Sequence, residues 1–288
     1  NQRDIEKLDF TAITDHGYNL DDTIWSYSRG KVSAYYDRKR FVTLLGEEWT
    51  SSQNPPENPD KPVGPHNAQR YGHRNIIFGN PHYPRFFDSR DGNISPPEIW
   101  NQLHGDEFVM IPHQLADWKG KGRGNPPTDW DYHHPYHQPL AEIYQARGSY
   151  EYKGAPGHAP NAAPFEGYYL QDAWAKGVVI GTIASSDHGG GQGFAGVWAE
   201  DLSRESLFDA FHARHTFGTT GIKIALFFRS GKAMMGDKVS NPGGTIPFHL
   251  KARAGEPIKE VVLFRNNKII RRAHPDGSKA TLNWKDDE

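Results

Sequence analysis

Gly181-Thr182-Ile183-Ala184-Ser185-Ser186-Asp187-His188-Gly189 is the stretch around which the rest of the chain is organised. An apolar run begins at residue 178, small residues follow it, and an aspartate–histidine pair comes next, before the glycines 189–191. This pattern predicts a buried strand over residues 178–184 that presents a carboxylate and an imidazole at its C-terminal end. Open α/β sheets and barrels bind ligands and metals at such strand ends.

A second strand, predicted over residues 8–14, ends in the same way with Asp15-His16-Gly17. Other apolar segments also have a carboxylate or an imidazole at or near one end. The pairs of predicted strand and polar residue are 41–45 with Glu48, 76–78 with His73, 108–111 with His113, and 140–144 with Glu142. Several such ends together predict one site assembled from several strands.

We expect seven side chains to bind metal at this site: His16, Glu48, His73, His113, Glu142, Asp187 and His188. The chain has no cysteine, so imidazoles and carboxylates are the available ligands, and this donor set suits Zn, Mn or Fe. Seven groups exceed the need of one ion. They predict two divalent ions about 3.5–4 Å apart, or three, which would lower the pKa of a bound water for hydrolysis.

Several of these assignments have alternatives. Glu47 could bind in place of Glu48, because neighbouring residues on a strand point to opposite faces. Glu142 could instead pair with Arg74 or Arg147. His188 could contact the substrate rather than the metal. Two further residues could assist the site: Asp15 by orienting a ligand histidine, and His66 by reaching the site from its long loop.

The order of predicted elements favours an α/β body followed by a smaller β unit. Helices are expected over 21–38, 96–103, 165–176 and 204–214, between the strands given above. From residue 221 onward the segments are short and alternate in polarity, with turns at 241–244 and 266–267. We therefore predict a metal-binding α/β body over residues 1–220 and an antiparallel β unit over residues 221–288.

Residues 8–16, Leu-Asp-Phe-Thr-Ala-Ile-Thr-Asp-His, resemble the LDF-x-x-hTDH strand of the PHP (polymerase and histidinol phosphatase) superfamily. The elements 46–50, 72–75, 111–113, 142–144 and 185–188 resemble further motifs of that superfamily in its order. The helix at 203–214 resembles the corresponding helix of an uncharacterised branch of the superfamily, which is described as a domain of unknown function. Thr219-Thr220-Gly221 and Met235-Gly236 resemble further features of that branch. The resemblance covers nearly the whole chain.

The resemblance implies a distorted (β/α)7 barrel with a di- or trinuclear metal centre and hydrolysis of phosphoesters. Carried over, it implies His16, Glu48, His73, His113, Asp187 and His188 as ligands, with Glu142 as a further candidate. The chain departs from the superfamily pattern in two places. The opening His-x-His motif is absent, and we expect it to precede Asn1. The last motif is usually Asp-x-His, whereas Asp187 and His188 are adjacent, so both can reach one cluster only if the strand has ended at Asp187.

Composition limits the partners. Lys and Arg number 33 against 35 Asp and Glu, a net charge of −2, so no basic excess favours nucleic acid. No apolar run approaches the roughly 18–20 residues that span a membrane. The lack of cysteine is compatible with a periplasmic or secreted protein and equally with a cytoplasmic one. Composition does not indicate the oligomeric state.

The strand-end ligands predict a metal-dependent hydrolase, and the resemblance implies that it is a phosphoesterase acting on a small anionic molecule. Asp187 and His188 are the expected catalytic groups, and Arg74 is expected to hold the substrate, since a guanidinium matches phosphate oxygens. Arg147 and Arg214 are alternative anchors. Two other functions remain open: a hydrolase of another ester or an amide, and a non-catalytic module that binds a ligand or carbohydrate at a degenerate metal site.

Overall fold

The computed structural model describes residues 2–50, 71–88, 94–118, 127–188, 192–240 and 243–287. Strands make up 36% and helices 16% of the structure. The strands are β1 (Phe10–His16), β2 (Val42–Thr50), β3 (His73–Phe78), β4 (Phe108–His113), β5 (Leu140–Gln145), β6 (Gly148–Ser149), β7 (Gly181–Ala184), β8 (Phe194–Val197), β9 (Thr216–Thr219), β10 (Ile224–Ser230), β11 (Ala233–Met234), β12 (Ile246–Ala254), β13 (Val261–Arg265), β14 (Lys268–Ala273) and β15 (Lys279–Asp286). The helices are α1 (Asp22–Ala34), α2 (Pro96–Gln102), α3 (Leu170–Ala175) and α4 (Arg204–Ala213), with a 3-10 turn at Gly17–Asn19.

The two longest helices begin at residues that satisfy their first free N–H groups. The Asp21 carboxylate accepts a hydrogen bond from the Ile24 N–H at 2.8 Å, and the Ser203 hydroxyl accepts one from the Ser206 N–H at 3.2 Å. Such N-caps fix where the chain turns from extended to helical. None of the described helices is long and apolar enough to cross a membrane.

The first sheet has the order β1-β2-β3-β4, and its two faces pack on different cores. β1 is parallel to β2, whereas β3 is antiparallel to both β2 and β4. One face packs on α1 and α2 through Leu45, Ile76 and Met110. The other packs on α4 through Leu44, Ile77 and Val109. Alternation along each strand therefore assigns every residue of this sheet to one of two cores.

The expected α/β class with a distorted (β/α)7 barrel is wrong, because the structure is mostly β-sheet. The described strands form five separate sheets and no closed barrel. A β/α barrel needs parallel neighbours joined by crossover helices, but β3 runs antiparallel to both of its neighbours. In addition, the four described helices are too few and too short to surround a barrel.

The strands after residue 221 pair antiparallel. β11, β10, β12 and β15 form a four-stranded sheet in that order, and β13 and β14 form a hairpin. Between these and the first sheet lie two smaller sheets, one of the order β6-β5-β7 and one of β8 and β9. The proposed boundary between two domains near residue 220 stays a prediction.

Candidate metal centre

Four of the predicted ligands meet at one end of the first sheet, on the face that packs on α4. His16 and His113 are the last residues of β1 and β4, and Glu48 lies near the end of β2. His73 is the first residue of β3, and because β3 is antiparallel its start lies at the same sheet edge. The alternation that buries Leu44 and Val109 against α4 also places these four side chains on one face.

Glu48 lies at the centre of the group. Its Oε1 lies 2.5 Å from Nδ1 of His73 and 3.0 Å from Nε2 of His113, and its Oε2 lies 2.9 Å from Nδ1 of His16. Glu48, His73 and His113 are all buried. Each of these three offers a ligand atom, and the three atoms lie within 4.8 Å of one another, close enough for one ion. His16 lies beside this triad and is less buried.

One contact within the group is a hydrogen bond, between Nδ1 of His73 and Oε1 of Glu48, but other imidazole nitrogens of the group lack a hydrogen-bond partner. Nδ1 of His16 and Nε2 of His113 approach Glu48 oxygens, yet both nitrogens are buried without a hydrogen-bond partner, as is Nε2 of His73. A buried polar atom without a partner is costly and calls for an explanation. Imidazole nitrogens and a carboxylate gathered around one point, with no thiol, are a donor set that fits Zn, Mn or Fe.

The electrostatics of the group also favour a cation. Burial raises the pKa of Glu48, but the charge of His113 and the close contacts of His113, His16 and His73 outweigh burial and lower that pKa far below its ordinary value. Burial lowers the pKa of His113, but the charges of Glu48 and Glu142 outweigh burial and raise it well above its ordinary value. Two buried carboxylates thus flank a position where positive charge is strongly stabilised.

Glu142 lies behind His113 rather than in the triad. Its Oε1 lies 3.2 Å from Nδ1 of His113, and its Oε2 accepts a hydrogen bond from the Ser185 hydroxyl. It contacts neither Arg74 nor Arg147 in the described structure. Nε2 of His113 points at Glu48, and the Glu142 carboxylate contacts the other ring nitrogen, Nδ1. Glu142 therefore fixes the orientation of the ring, as carboxylates commonly do for metal-binding histidines.

Asp187 and His188 follow the end of β7 and line a cavity that His16 and Glu48 also line. Asp187 has φ +60°, so the backbone has left the strand conformation there, and strict alternation no longer separates the two side chains. The Asp187 carboxylate accepts hydrogen bonds from the Arg147 guanidinium and, at 2.9 Å, from Nε2 of Gln145. The more exposed His188 ring lies 5.8 Å from the His16 ring between centroids. Residues Gly189–Gly191 and His66 lie outside the described residues.

Arg74, expected to hold the substrate, is not near the cavity. It is fully buried and donates hydrogen bonds to the backbone carbonyls of Tyr71 and Tyr132. The reason is alternation along β3: His73 points to the metal-ligand face, so Arg74 points to the opposite one. Glu47 is turned away from Glu48 in the same manner, and its carboxyl group accepts the Phe87 N–H at 2.9 Å.

A cavity of about 570 Å³ opens between the end of β1 and the end of β7. Its wall includes five of the seven predicted ligands: His16, Glu48, Glu142, Asp187 and His188. Lys223 also lines it and donates a hydrogen bond from Nζ to the Lys7 carbonyl at 2.8 Å. His73 and His113 do not line the cavity, but both contact Glu48, which does, so Glu48 connects the triad to the cavity.

Sequence reasoning missed three side chains that support the site. Gln145 and Ser185 bind Asp187 and Glu142, and the Tyr18 ring stacks on His16 with centroids 4.6 Å apart and an interplanar angle of 17°. Gln145 and Ser185 are polar residues at the ends of β5 and β7, and the same feature predicted the candidate ligands. Tyr18 had no such signal, because it follows the strand in a turn.

The comparisons with known proteins name no function. Residues 171–248 match the family model described as "Protein of unknown function (DUF3604)". The chain is similar to an uncharacterized protein of Chlamydia pneumoniae, 25% identical over 99% of this chain and 46% of the relative. It is also similar to one of Chlamydia trachomatis, 26% identical over 88% of this chain and 42% of the relative. The chain thus spans less than half the length of these curated relatives. No solved structure matches it.

Proposed function

We propose that this chain is a metal-dependent hydrolase with its metal held by Glu48, His73 and His113. The observation that carries the proposal is the buried triad, whose ligand atoms lie within 4.8 Å of one another and include imidazole nitrogens without hydrogen-bond partners. A divalent transition ion bound there would supply Lewis-acid chemistry and an acidified water at neutral pH. The presence of two or three ions stays a prediction.

We further propose a phosphoester of a small anionic molecule as the substrate. The cavity is large enough for a small ligand, since ligand sites commonly measure about 300–1,000 Å³. His188 lines the cavity, and its Nε2 lies 3.7 Å from Oδ2 of Asp187, close enough for the carboxylate to orient the ring. Water attacks the phosphorus, the bond to the leaving oxygen breaks, and His188 carries the proton from the water to that oxygen through Nδ1, the ring nitrogen that does not face Asp187.

The proposal is tested with the full chain, reconstituted with Zn or Mn and assayed on nitrophenyl phosphate mono- and diesters. His113→Ala should lose both the metal and the turnover. His188→Asn should keep the metal and lower kcat by about 10²–10⁴. His104→Ala, at an exposed histidine outside the cavity, should change neither. Failure of the unmodified chain to bind Zn, Mn or Fe in metal analysis would sink the proposal.

One observation favours a second candidate, a module that binds a ligand at a metal site without turnover. The Asp187 carboxylate is already held by Arg147 and Gln145, so one predicted ligand is engaged by the protein itself. This candidate expects stoichiometric metal and no hydrolysis. Carboxyl esters and amides belong in the same substrate panel. If only these were hydrolysed, the metal site would stand and the reaction would be hydrolysis of a carboxyl ester or amide instead of a phosphoester.

A further inference from the structure

The charges of this chain are unevenly distributed. Residues 221–288 contain thirteen Lys and Arg against seven Asp and Glu, a net charge of +6. The preceding 220 residues contain twenty against twenty-eight, a net charge of −8. The two parts nearly cancel, so the net charge of −2 for the whole chain conceals a basic C-terminal part. A localised basic surface attracts anions even on a chain that is neutral overall.

The basic residues gather on one face of the sheet formed by β10, β12 and β15. Side chains that are paired across antiparallel strands point to the same face. The strand register places Arg229 beside His249 and Asn283, and it places Arg253 beside Lys279. The complete set of cationic residues on this face is Arg229, Lys251, Arg253, Lys279 and Lys285. We call it the basic face.

The basic face is exposed, and its charges are not neutralised by the protein. All five cationic side chains are exposed, and none forms an ion pair with a described residue. No Asp or Glu of these three strands shares the face, because Asp286 lies on the opposite side and pairs with Arg265. That opposite face is apolar, with the rings of Phe228, Phe248 and Trp284 stacked. One face therefore builds the core of the sheet, and the other is available to bind an anionic partner.

Two aromatic rings lie at the border of the basic face. Phe227 shares the face, lies under the Arg229 guanidinium and meets Trp198 edge-on, with centroids 5.5 Å apart. Trp198 is 39% exposed, and its Nε1 donates a hydrogen bond to the Leu226 carbonyl at 2.8 Å, which fixes the ring. A depression of about 720 Å³ at the end of the sheet is lined by Arg229, His249, Asn283 and Lys285, with Arg271 from β14.

We propose that the basic face binds single-stranded nucleic acid. Cations that follow a phosphate backbone, together with fixed aromatic rings for base stacking, are what single-strand-binding surfaces combine. A three-stranded sheet is too wide for the major groove, which admits a helix or a two-stranded ribbon, so a duplex fits poorly. An anionic membrane or a sulfated polymer would be attracted by the charges but would gain nothing from base stacking on Trp198.

The test measures binding of the full chain to a labelled oligothymidylate of about twelve nucleotides, by fluorescence anisotropy from 50 to 200 mM salt. The logarithm of the affinity should fall linearly with the logarithm of the salt concentration. Lys251→Gln combined with Lys279→Gln removes two phosphate contacts and should reduce that slope by about 1.4. Lys153→Gln combined with Lys176→Gln removes two exposed lysines outside the basic face and should leave the slope unchanged.

A Trp198→Leu variant separates stacking from charge. It should weaken oligothymidylate binding about tenfold or more while keeping the salt slope, because a base contact is lost and no phosphate contact is. Several results would overturn the proposal. They are equal binding of a duplex, equal competition per charge by inorganic polyphosphate, binding of phosphatidylserine vesicles without oligonucleotide binding, or an unchanged slope in the double lysine variant. The basic face does not involve the metal centre, so its test is independent of hydrolysis.

Discussion

At the scale of single residues, the candidate metal centre depends on which face of its strand each side chain occupies. The sequence favoured Glu48 and left Glu47 as the alternative, and alternation along β2 places the two side chains on opposite faces. Glu48 meets three imidazoles, whereas Glu47 is buried on the opposite side against the Phe87 N–H. The same rule separates His73 from Arg74. Residue type at strand ends therefore predicted side chains that the structure brings together, and their role as metal ligands stays a prediction. The burial of Arg74 away from them could not be predicted without knowing which face of β3 each side chain occupies.

Glu142 offers a test of how His113 is oriented. Its carboxylate contacts Nδ1 of His113 and the Ser185 hydroxyl, and it lies outside the triad. Glu142→Gln should keep the fold and lower the affinity for Zn by about 10–100-fold, because the amide holds the ring less firmly and carries no charge. Titration calorimetry of the metal-free chain measures this. Gln171→Glu, an exchange away from the centre, is the control, and equal affinity in Glu142→Gln would show that Glu142 does not support His113.

At the scale of elements, the positions of the strands were predicted better than their pairing. The strand expected at 108–111 is Phe108–His113, and the helix expected at 204–214 is Arg204–Ala213. β15 was missed, although Ala280, Leu282 and Trp284 alternate with polar residues in the pattern of a half-exposed strand. The antiparallel direction of β3 was missed as well, although the Pro- and Gly-rich stretch before it has no helical period that would predict a crossover helix.

Gly46 tests the close packing of β2 on its neighbours. A Cβ at this position would lie 2.6 Å from the Ile76 carbonyl oxygen and 2.8 Å from Cδ1 of Ile77. Gly46→Ala should therefore destabilise the fold by about 2 kcal/mol and weaken metal binding, because β3 must move and it carries His73. Denaturant unfolding and metal titration measure the two effects.

Gly30 provides the matched control for Gly46. It lies within α1, and a Cβ there would have nothing within 4 Å. Gly30→Ala should stabilise the fold by about 0.5–1 kcal/mol and leave metal binding unchanged, because alanine reduces the entropy of the unfolded chain. If both glycine variants behaved alike, close strand packing at Gly46 would not explain the result.

The segment between β4 and β5 predicts a pH dependence of stability. Burial, followed by the charges of His134, His212 and His104, lowers the pKa of His137 to about 4, and its ring stacks on Phe108. A histidine whose pKa is lowered by folding binds protons more readily in the unfolded chain. Stability should therefore fall as the pH drops from about 6.5 towards 4.

A His137→Gln variant measures this contribution. The free energy of unfolding should fall less between pH 7 and pH 5 in the variant than in the wild type. Because the ring is partly exposed and solvent screens it, we expect this difference to be about 1 kcal/mol. Urea unfolding at both pH values gives the difference. His274→Gln, at an exposed histidine of the C-terminal part, should retain the full loss. An identical pH profile in wild type and His137→Gln would refute this contribution.

At the scale of the whole molecule, the centre joins parts that are distant in the sequence. Its candidate ligands come from β1 to β4, while Glu142 and Asp187 belong to the smaller sheet and its end. The resemblance to a known superfamily gave a ligand set but also a barrel that the described chain does not form. Ligand types at strand ends are local features that a sequence carries, whereas closure of a barrel depends on the direction and pairing of every strand.

Because unfolding separates these strands, a metal that binds the assembled centre must stabilise the whole fold. An ion at 100 times its dissociation constant contributes about 2.7 kcal/mol, which should raise the Tm of a chain this long by about 5 °C. Zn should give this shift and EDTA should reverse it. Mg should give a much smaller one, since it prefers an octahedron of oxygen ligands to imidazole. His113→Ala should abolish the Zn effect, whereas His104→Ala should keep it. A Zn shift that survives in His113→Ala would mean that the ion binds elsewhere, and the triad of Glu48, His73 and His113 would then be a buried polar network without a metal.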